Sequence, residues 1–261
     1  MTCSTLLGRR ILVTRASHQA EELMERLRER GAQPRSVPVM VLEPLLGEGE
    51  FRSLGEGISS RRWDDIVFTS ANAVQLVLPE FSISQQGVRI FAIGPGTAAA
   101  AAALGWQVET LPASFIAESL AEQLITEGVI GRRVLLPRAA GARAVLPESL
   151  GRAGAEVEVA ELYRMRPDES ARAILEKALS EPDLDCILFA SGSAVDCFHA
   201  LRGESEISSS VLIACIGPIT AQAAVSVGLR PGLVAKEHSL AGLVTALELQ
   251  LGPVLEDGRQ S

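Results

Sequence analysis

Arg10-Ile-Leu-Val-Thr-Arg15 is a short apolar run between two arginines, and it returns 123 residues later as Arg133-Val-Leu-Leu-Pro-Arg138. Two further motifs return in the same order, at offsets of 121 and 123 residues: Asp65-Ile-Val-Phe-Thr-Ser70 as Cys186-Ile-Leu-Phe-Ala-Ser191, and Ile93-Gly-Pro-Gly-Thr97 as Ile216-Gly-Pro-Ile-Thr220. Solenoid units are about 20 to 50 residues long, so this longer period indicates a tandem duplication. The sequence therefore predicts two similar lobes.

Each repeat has the pattern of three strands, each followed by a helix. In the first repeat, the predicted strands are short apolar runs at residues 10–14, 63–68 and 88–93. Ala20, Leu23 and Leu27 form one apolar stripe of the first helix, and Ser70 is the predicted N-cap of the second. A turn at Gly94–Thr97 precedes a run of alanines that favours the third helix. Strands that alternate with helices form parallel sheets flanked by helices, which is the α/β fold class.

The composition is that of a globular protein with an acidic surface. The chain has 261 residues, of which 47% are hydrophobic and 21% charged. It contains no run of about 20 apolar residues that could span a membrane. The net charge of -8 and the pI near 5.1 argue against a surface that follows nucleic-acid phosphates. Local donors, rather than net charge, must therefore hold any anionic ligand.

The cysteines and histidines give no sign of a metal site. The four cysteines, at positions 3, 186, 197 and 215, form no C-x-x-C pair, which predicts buried free thiols in a reducing compartment. The three histidines, at positions 18, 199 and 238, are dispersed and have no cysteine at ligand spacing, so we expect no structural metal. The first ten residues lack the apolar segment of a secretory signal, so we expect a cytoplasmic protein.

Hydroxyl groups follow several predicted strands, at the edge where parallel α/β sheets bind their ligands. These residues are Ser70, Thr97, Ser191 and Thr220. These hydroxyl groups can cap helices, and they can also donate hydrogen bonds to carboxylates. The N–H groups at helix N-termini bind carboxylates as well, and this binding does not require a net positive charge. Neither Ser70 nor Ser191 lies in a G-x-S-x-G elbow, so both are poor nucleophile candidates. Arg15 and Arg138 end predicted strands at the same edge. Each can contact a ligand there, and each can equally be solvated or ion-paired.

Two further features have ordinary structural explanations. Gly94, Gly96 and Ala99 match the dinucleotide-binding fingerprint formally. The second repeat has Ile219 in place of the second glycine, which favours a shared tight turn instead. Tyr163, the single tyrosine, lies in an alternating apolar stretch, and its residue type alone indicates a core or interface aromatic.

Taken together, these motifs resemble those of the uroporphyrinogen-III synthase family, in the family's order and over nearly the whole chain. The residues that carry the resemblance are Ile11–Arg15 with Pro38, Phe68–Val74, Ile93–Thr97, Leu136–Arg138 with Tyr163 and Arg164, Phe189–Ser191, and Ile216–Ala221. Two positions depart from the family pattern: Ala190 replaces a threonine, and Pro147 interrupts the helix expected after Arg138. The resemblance is to the stand-alone form of the enzyme.

The resemblance implies two lobes that exchange their first strand and helix. One lobe would be discontinuous, comprising residues 1–37 and 167–261, and the other would be residues 43–160. Two hinge strands would join the lobes, near residues 37–42 and 161–166. Prolines punctuate both crossings, which is consistent with extended segments there.

The resemblance also implies a reaction. The family converts linear hydroxymethylbilane into cyclic uroporphyrinogen III, with inversion of ring D and loss of water, in heme, siroheme and cobalamin biosynthesis. Loss of the hydroxyl, pushed by a pyrrole nitrogen, gives an azafulvene, and ring D closes through a spiro intermediate. Because the substrate also cyclises unaided to the symmetrical I isomer, the enzyme would mainly hold a conformer that blocks that closure.

By this resemblance, Tyr163 would be the catalytic residue, in a cleft between the lobes, where its hydroxyl would assist departure of the substrate hydroxyl. The substrate-binding residues would be Arg15, Ser70, Thr97, Arg138, Ser191 and Thr220. We expect no metal, no cofactor, a monomer, and at most a transient contact with the upstream enzyme that makes the bilane. Two alternatives from other classes remain: a two-lobed cytoplasmic binding protein for a polyanionic small molecule, and a nucleotide-dependent enzyme.

Overall fold

The computed structural model describes residues 5–78 and 87–252, apart from the side chains of residues 17–19. The chain divides into two compact units. Unit 1 comprises Met1–Val41 and Met165–Ser261, and unit 2 comprises Leu42–Arg164.

Strands and helices alternate along most of the chain. The strands are β1 (Arg10–Val13), β2 (Gln33–Ser36), β3 (Met40–Pro44), β4 (Asp65–Phe68), β5 (Arg89–Ala92), β6 (Arg133–Ala139), β7 (Glu156–Pro167), β8 (Cys186–Phe189), β9 (Leu212–Cys215) and β10 (Pro231–Val234). The helices are α1 (Ser17–Arg28), α2 (Glu48–Ser59), α3 (Ala71–Val77), α4 (Pro95–Ala103), α5 (Ala117–Thr126), α6 (Val145–Arg152), α7 (Arg172–Leu179), α8 (Gly192–Arg202), α9 (Pro218–Ser226) and α10 (Leu240–Leu251). A 3-10 turn at Glu169–Ala171 leads into α7.

Four strands follow the same order in the two sheets, because β9-β8-β1-β2 of unit 1 corresponds to β5-β4-β6-β7 of unit 2 at the repeat offset. The order is β10-β9-β8-β1-β2 in unit 1 and β5-β4-β6-β7-β3 in unit 2. In unit 1 the strands pair in parallel, and so do β5, β4, β6 and β7 of unit 2. Each sheet therefore combines strands from both repeats, since β1 and β2 precede unit 2 in the chain and β8 to β10 follow it. The predicted α/β class, with two parallel sheets flanked by helices, is confirmed.

Burial on both faces explains why the central strands are continuous apolar runs. In β1, Leu12 packs with Phe189 in one core, whereas Ile11 and Val13 pack with Leu23 of α1 in the core on the other face. Successive side chains of a strand point to opposite faces, so a strand covered on both sides needs an apolar residue at each position. Each such leucine or phenylalanine contributes about 1.5 to 3 kcal/mol when fully buried.

Two short strands lack the continuous apolar run that marks the central strands in the sequence. β2 reads Gln-Pro-Arg-Ser and β10 reads Pro-Gly-Leu-Val, and each lies at an edge of its sheet with partly or fully exposed residues. Edge strands pair on one side only, so they tolerate proline and polar side chains that a central strand excludes.

Two expectations about helix starts are wrong. The segment Gly94–Thr97 is not a separate turn, because α4 already begins at Pro95 with Gly94 as its N-cap. Pro147 does not interrupt a helix either, because it is the third residue of α6. Proline is accepted in a first turn, where its missing N–H has no helical partner to lose.

A buried carboxylate lies where β4 begins, at the amino end of the unit 2 sheet. Asp65 is fully buried, and the guanidinium groups of Arg89 and Arg132 each donate two hydrogen bonds to it, at 2.6 to 2.8 Å. Cys186 occupies the corresponding position of unit 1 and is also fully buried. The two units thus fill the same position with an ion cluster in one case and a small thiol in the other.

The predicted free thiols are confirmed for Cys186, Cys197 and Cys215, which are all buried, whereas Cys3 lies outside the described residues. Burial raises the pKa of Cys197 and of Cys215 to about 11, and raises that of Cys186 further. Thiols held in the neutral form are weak nucleophiles and weak metal ligands.

Candidate functional site

The carboxyl edge of the unit 2 sheet carries four of the predicted site residues on neighbouring strands. Tyr163 lies in β7, Arg138 in β6, Ser70 two residues after β4, and Thr97 in the first turn of α4 after β5. The register of β6 and β7 shifts between Arg138 and Ala139, which pairs Ala139 with Tyr163. This irregularity sets where Tyr163 lies along the sheet edge.

Ser70 and Tyr163 are in direct contact. The Ser70 Oγ and Tyr163 Oη atoms are 2.9 Å apart, and the Ala73 N–H donates to the same Ser70 Oγ at 3.1 Å. Ser70 is therefore the N-cap of α3, as predicted. Tyr163 is only 3% exposed, whereas Ser70 is half-buried.

Arg138 is largely buried at the same edge of the sheet. Its side chain is 11% exposed, its Nη1 donates to the Arg143 carbonyl at 3.1 Å, and its Nη2 lies 3.9 Å from Glu161. Its Nε is buried and has no hydrogen-bond partner among the residues that the structure describes. A buried N–H of a charged group without a partner is costly, so this guanidinium has unused capacity to bind an anion.

Unit 1 repeats much of this arrangement. Arg15 follows β1, Ser191 caps α8 by accepting from the Ala194 N–H at 3.2 Å, and Thr220 lies in the first turn of α9. Burial lowers the pKa of the Arg15 guanidinium, and the nearby charge of Glu22 opposes part of that shift.

The two threonines are less accessible than the sequence suggests. Thr97 is 7% exposed and Thr220 is 4% exposed, although both follow a Gly-Pro pair at the start of a helix. Their side chains therefore support the helix start, and the neighbouring backbone N–H groups of the first turn are the better candidates for contact with a ligand.

Two aromatic side chains at these edges were not among the predicted site residues. A Cβ at Gly94 would lie 3.2 Å from the Phe115 ring atom Cγ, and a Cβ at Gly217 would lie 3.1 Å from His238 Cδ2. Each glycine is the N-cap of α4 or α9, so glycine is needed for the ring to approach the helix start. Phe115 and His238 are 123 residues apart, and the repeat offset could have revealed this pair.

No cluster of three or more His, Cys, Asp or Glu side chains suited to a metal ion occurs in residues 5–78 or 87–252. The helices in the same described ranges are too short or too polar to cross a bilayer.

Capped helices and partly buried arginines at the carboxyl edges of two mainly parallel sheets are typical of α/β proteins that bind anionic small molecules. The family described as uroporphyrinogen-III synthase HemD matches residues 8–245. The chain belongs to the uroporphyrinogen-III synthase family.

Individual relatives agree with this assignment. The uroporphyrinogen-III synthase of Synechococcus elongatus is 31% identical over 256 residues, which are 93% of this chain and 96% of that protein. The solved structure of uroporphyrinogen-III synthetase from Helicobacter pylori has a TM-score of 0.65 at 19% identity, over 93% of this chain and 99% of that one. A uroporphyrinogen III synthase variant from Thermus thermophilus has a TM-score of 0.61 at 20% identity, over 93% and 99%. These two structures support the fold.

The protein is thus an enzyme, a lyase of porphyrin and heme biosynthesis that cyclises hydroxymethylbilane to uroporphyrinogen III. Its substrate is a small-molecule bilane. The enzyme prediction is confirmed, and the alternatives of a binding protein and a nucleotide-dependent enzyme are not supported.

Proposed function

We propose that the carboxyl edges of both sheets bind the carboxylates of hydroxymethylbilane, and that the Ser70–Tyr163 hydroxyl pair assists departure of the substrate hydroxyl. The observation that carries this proposal is the 2.9 Å contact between the two hydroxyl groups at the edge where parallel sheets bind ligands. The hydrogen bond between the buried tyrosine and the partly exposed serine holds both hydroxyl groups in place, unlike a hydroxyl that is free on the surface.

The substrate has eight carboxylates and the chain has a net charge of -8, so binding depends on local donors. We assign Arg15 and Arg138 to charge-assisted hydrogen bonds with carboxylates. We assign Ser191 to a neutral hydrogen bond, and the helix starts at Thr97 and Thr220 to backbone N–H donation. Distributed donors of this kind hold an extended polyanion in one conformer, which orients ring D for inverted closure.

The chemistry itself needs little help from the chain. The lone pair of a pyrrole nitrogen forms the C=N bond of the azafulvene while the C–O bond of the hydroxymethyl group breaks. The hydroxyl leaves as water, with the proton that the nitrogen loses. A hydrogen-bond donor at the departing oxygen lowers the barrier, and a positioned acid or donor is typically worth about 10²- to 10⁴-fold. The low end applies here, because the unassisted reaction already proceeds.

The proposal also covers the domain arrangement, the oligomeric state, the location in the cell and a partner enzyme. We propose that the domains are discontinuous, that the enzyme acts as a monomer in the cytoplasm, and that it contacts the upstream bilane-forming enzyme transiently. The first of these is supported by the exchange of strands between the two repeats.

Product analysis tests the proposal. The protein is incubated with freshly made hydroxymethylbilane, and the I and III isomers are separated after oxidation to porphyrins. We expect the III isomer to dominate with the parent protein, and the I isomer to increase when Arg15 and Arg138 are both changed to alanine. A parent-like isomer ratio in that double variant would reject the proposed carboxylate site.

A further inference from the structure

The two hydroxyl groups of the unit 2 edge are not equivalent in exposure. Tyr163 is 3% exposed, so its phenolic proton needs an acceptor within the protein. In the part of the chain that the structure describes, the acceptor within hydrogen-bond distance of Tyr163 Oη is Ser70 Oγ, at 2.9 Å. Either hydroxyl can be the donor at this distance, and the arrangement in which the Tyr163 O–H donates to Ser70 Oγ is the one that satisfies the buried phenolic proton.

Ser70 then has one hydrogen-bonding function left. A serine hydroxyl has two acceptor lone pairs and one donor proton. One lone pair accepts from the Ala73 N–H at 3.1 Å, and in the arrangement with Tyr163 as donor the other lone pair accepts from the Tyr163 O–H. With both lone pairs used, Ser70 can act outward only as a donor, and two donors that point at its oxygen strengthen that donation cooperatively.

Unit 1 shows what is specific to this arrangement. Ser191 caps α8 in the same way that Ser70 caps α3. The residue that corresponds to Tyr163 at the repeat offset of 123 is Met40, which has no hydroxyl and is buried in the unit 1 core. Within residues 5–78 and 87–252, Ser191 Oγ accepts one hydrogen bond, from Ala194, so it can accept a second as well as donate.

We infer that Ser70, not Tyr163, is the residue that donates to an oxygen of the bilane, and that Tyr163 is a positioning residue that acts through Ser70. This inference rests on the proposed function and sharpens it. Donation by Ser70 suits the departing hydroxyl group, whose oxygen becomes partly negative as the C–O bond breaks. A hydroxyl that can only donate stabilises this oxygen and does not accept the proton that the oxygen needs in order to leave as water.

A double-mutant cycle tests the inference in the full-length enzyme, with kcat, KM and the III-to-I ratio measured for each variant. We expect Ser70→Ala and Tyr163→Phe each to lower kcat roughly 10- to 100-fold, with Ser70→Ala at least as severe. The double variant should be within about twofold of Ser70→Ala alone, since Tyr163 has no route to the substrate once Ser70 is gone. Ser70→Thr, which keeps the cap and the hydroxyl, should restore most of kcat.

Ser191→Ala is the matched control, because it also removes an N-cap. We expect it to lower the melting temperature about as much as Ser70→Ala does. Its effects should combine with those of Tyr163→Phe as a simple product, because Ser191 and Tyr163 share no hydrogen bond.

Different failures lead to different conclusions. If the losses of Ser70→Ala and Tyr163→Phe multiply in the double variant, or if Tyr163→Phe is the more severe, Tyr163 itself contacts the substrate and the inference is wrong, while the proposed function stands. If both variants lose only thermal stability and keep kcat, the inference and the proposed role of the hydroxyl pair are both wrong. If the parent protein makes only the I isomer, the functional assignment fails.

Discussion

The carboxyl edges of unit 1 and unit 2 share the residues proposed to bind substrate, but among the described residues only unit 2 has the hydroxyl pair. An arginine, a capping serine and a first-turn threonine occur in both units at the repeat offset, as Arg15, Ser191 and Thr220 in unit 1 and as Arg138, Ser70 and Thr97 in unit 2. The exceptions are Met40 in place of Tyr163, and His238 in place of Phe115. Duplication therefore supplied two similar sheet edges, and one of them also carries two hydroxyl groups in contact, which we propose assist the reaction.

The sharpest test of the two-unit description is folding of a fragment. Unit 2 is one continuous stretch, whereas unit 1 needs both ends of the chain. We expect residues 42–164 expressed alone to unfold cooperatively with a native-like far-UV circular dichroism spectrum. A fragment of residues 1–125, which is the first repeat, should not fold, because β1 and β2 would lack β8. The opposite result would favour two sequential domains.

Among single substitutions, we expect the largest loss in the free energy of unfolding at the amino edge of the unit 2 sheet. Asp65→Asn leaves Arg89 and Arg132 without their buried carboxylate, and breaking a buried ion pair costs about 3 to 5 kcal/mol. Cys186→Ala, at the corresponding position of unit 1, removes only a small apolar contact and should cost about 1 kcal/mol. Urea denaturation measures both free energies of unfolding. Equal losses would show that the ion cluster contributes no more than a packed thiol.

Alanine variants of Arg15 and Arg138 compare how strongly the two sheet edges bind the product. Arg15→Ala and Arg138→Ala should each weaken product binding by about 1.5 to 3 kcal/mol, the range for a hydrogen bond to a charged group. Arg152→Ala, on the exposed surface of α6, is the control and should leave binding unchanged. Titration calorimetry with uroporphyrinogen III under anaerobic conditions gives the three dissociation constants. An effect at only one of Arg15 and Arg138 would mean that the units do not share the substrate.

A smaller effect concerns pH and is confined to unit 2. Hydrogen bonds from the Arg133 side chain and backbone lower the pKa of Asp64 from 3.8 to about 2. A carboxyl whose pKa is lowered by folding stabilises the protein above its unfolded pKa, and that contribution is lost as pH falls towards the folded pKa. Because the Asp64 side chain is 34% exposed, the contribution is about 1 kcal/mol or less.

Asp64→Asn should therefore be less stable than the parent protein at pH 7, and the difference should shrink between about pH 4 and pH 2. Thermal unfolding across this pH range provides the measurement. A stability difference that grows towards low pH would contradict the assigned cause of the pKa shift.

Local patterns made much of this molecule predictable. The repeat predicted the number of lobes, and a serine between a strand and a helix, as at Ser70, is enough to predict an N-cap. The contact between Ser70 and Tyr163 was not predictable, because it joins residues 93 positions apart and depends on the register shift between β6 and β7. The same holds for Asp65, whose two arginines come from separate segments.

The edge strands and the ring contacts were missed for a different reason. β2 has no long apolar side chain and β10 has only Leu233 and Val234, because an edge strand paired on one side tolerates proline and polar residues, so neither strand gives a continuous apolar run. The rings of Phe115 and His238 pack on glycines from separate loops, and nothing in the local sequence indicates that approach.

The most direct test of the central claim compares Tyr163→Phe with Met40→Leu, its counterpart in unit 1, by isomer-resolved kinetics with hydroxymethylbilane. We expect Tyr163→Phe to form the III isomer roughly 10- to 100-fold more slowly, with a rising share of the I isomer from unassisted closure. Met40→Leu, a volume-conserving change in the core, should leave both quantities unchanged. A stable Tyr163→Phe protein with parent rate and isomer ratio would contradict the claim that the hydroxyl pair of unit 2 assists the reaction.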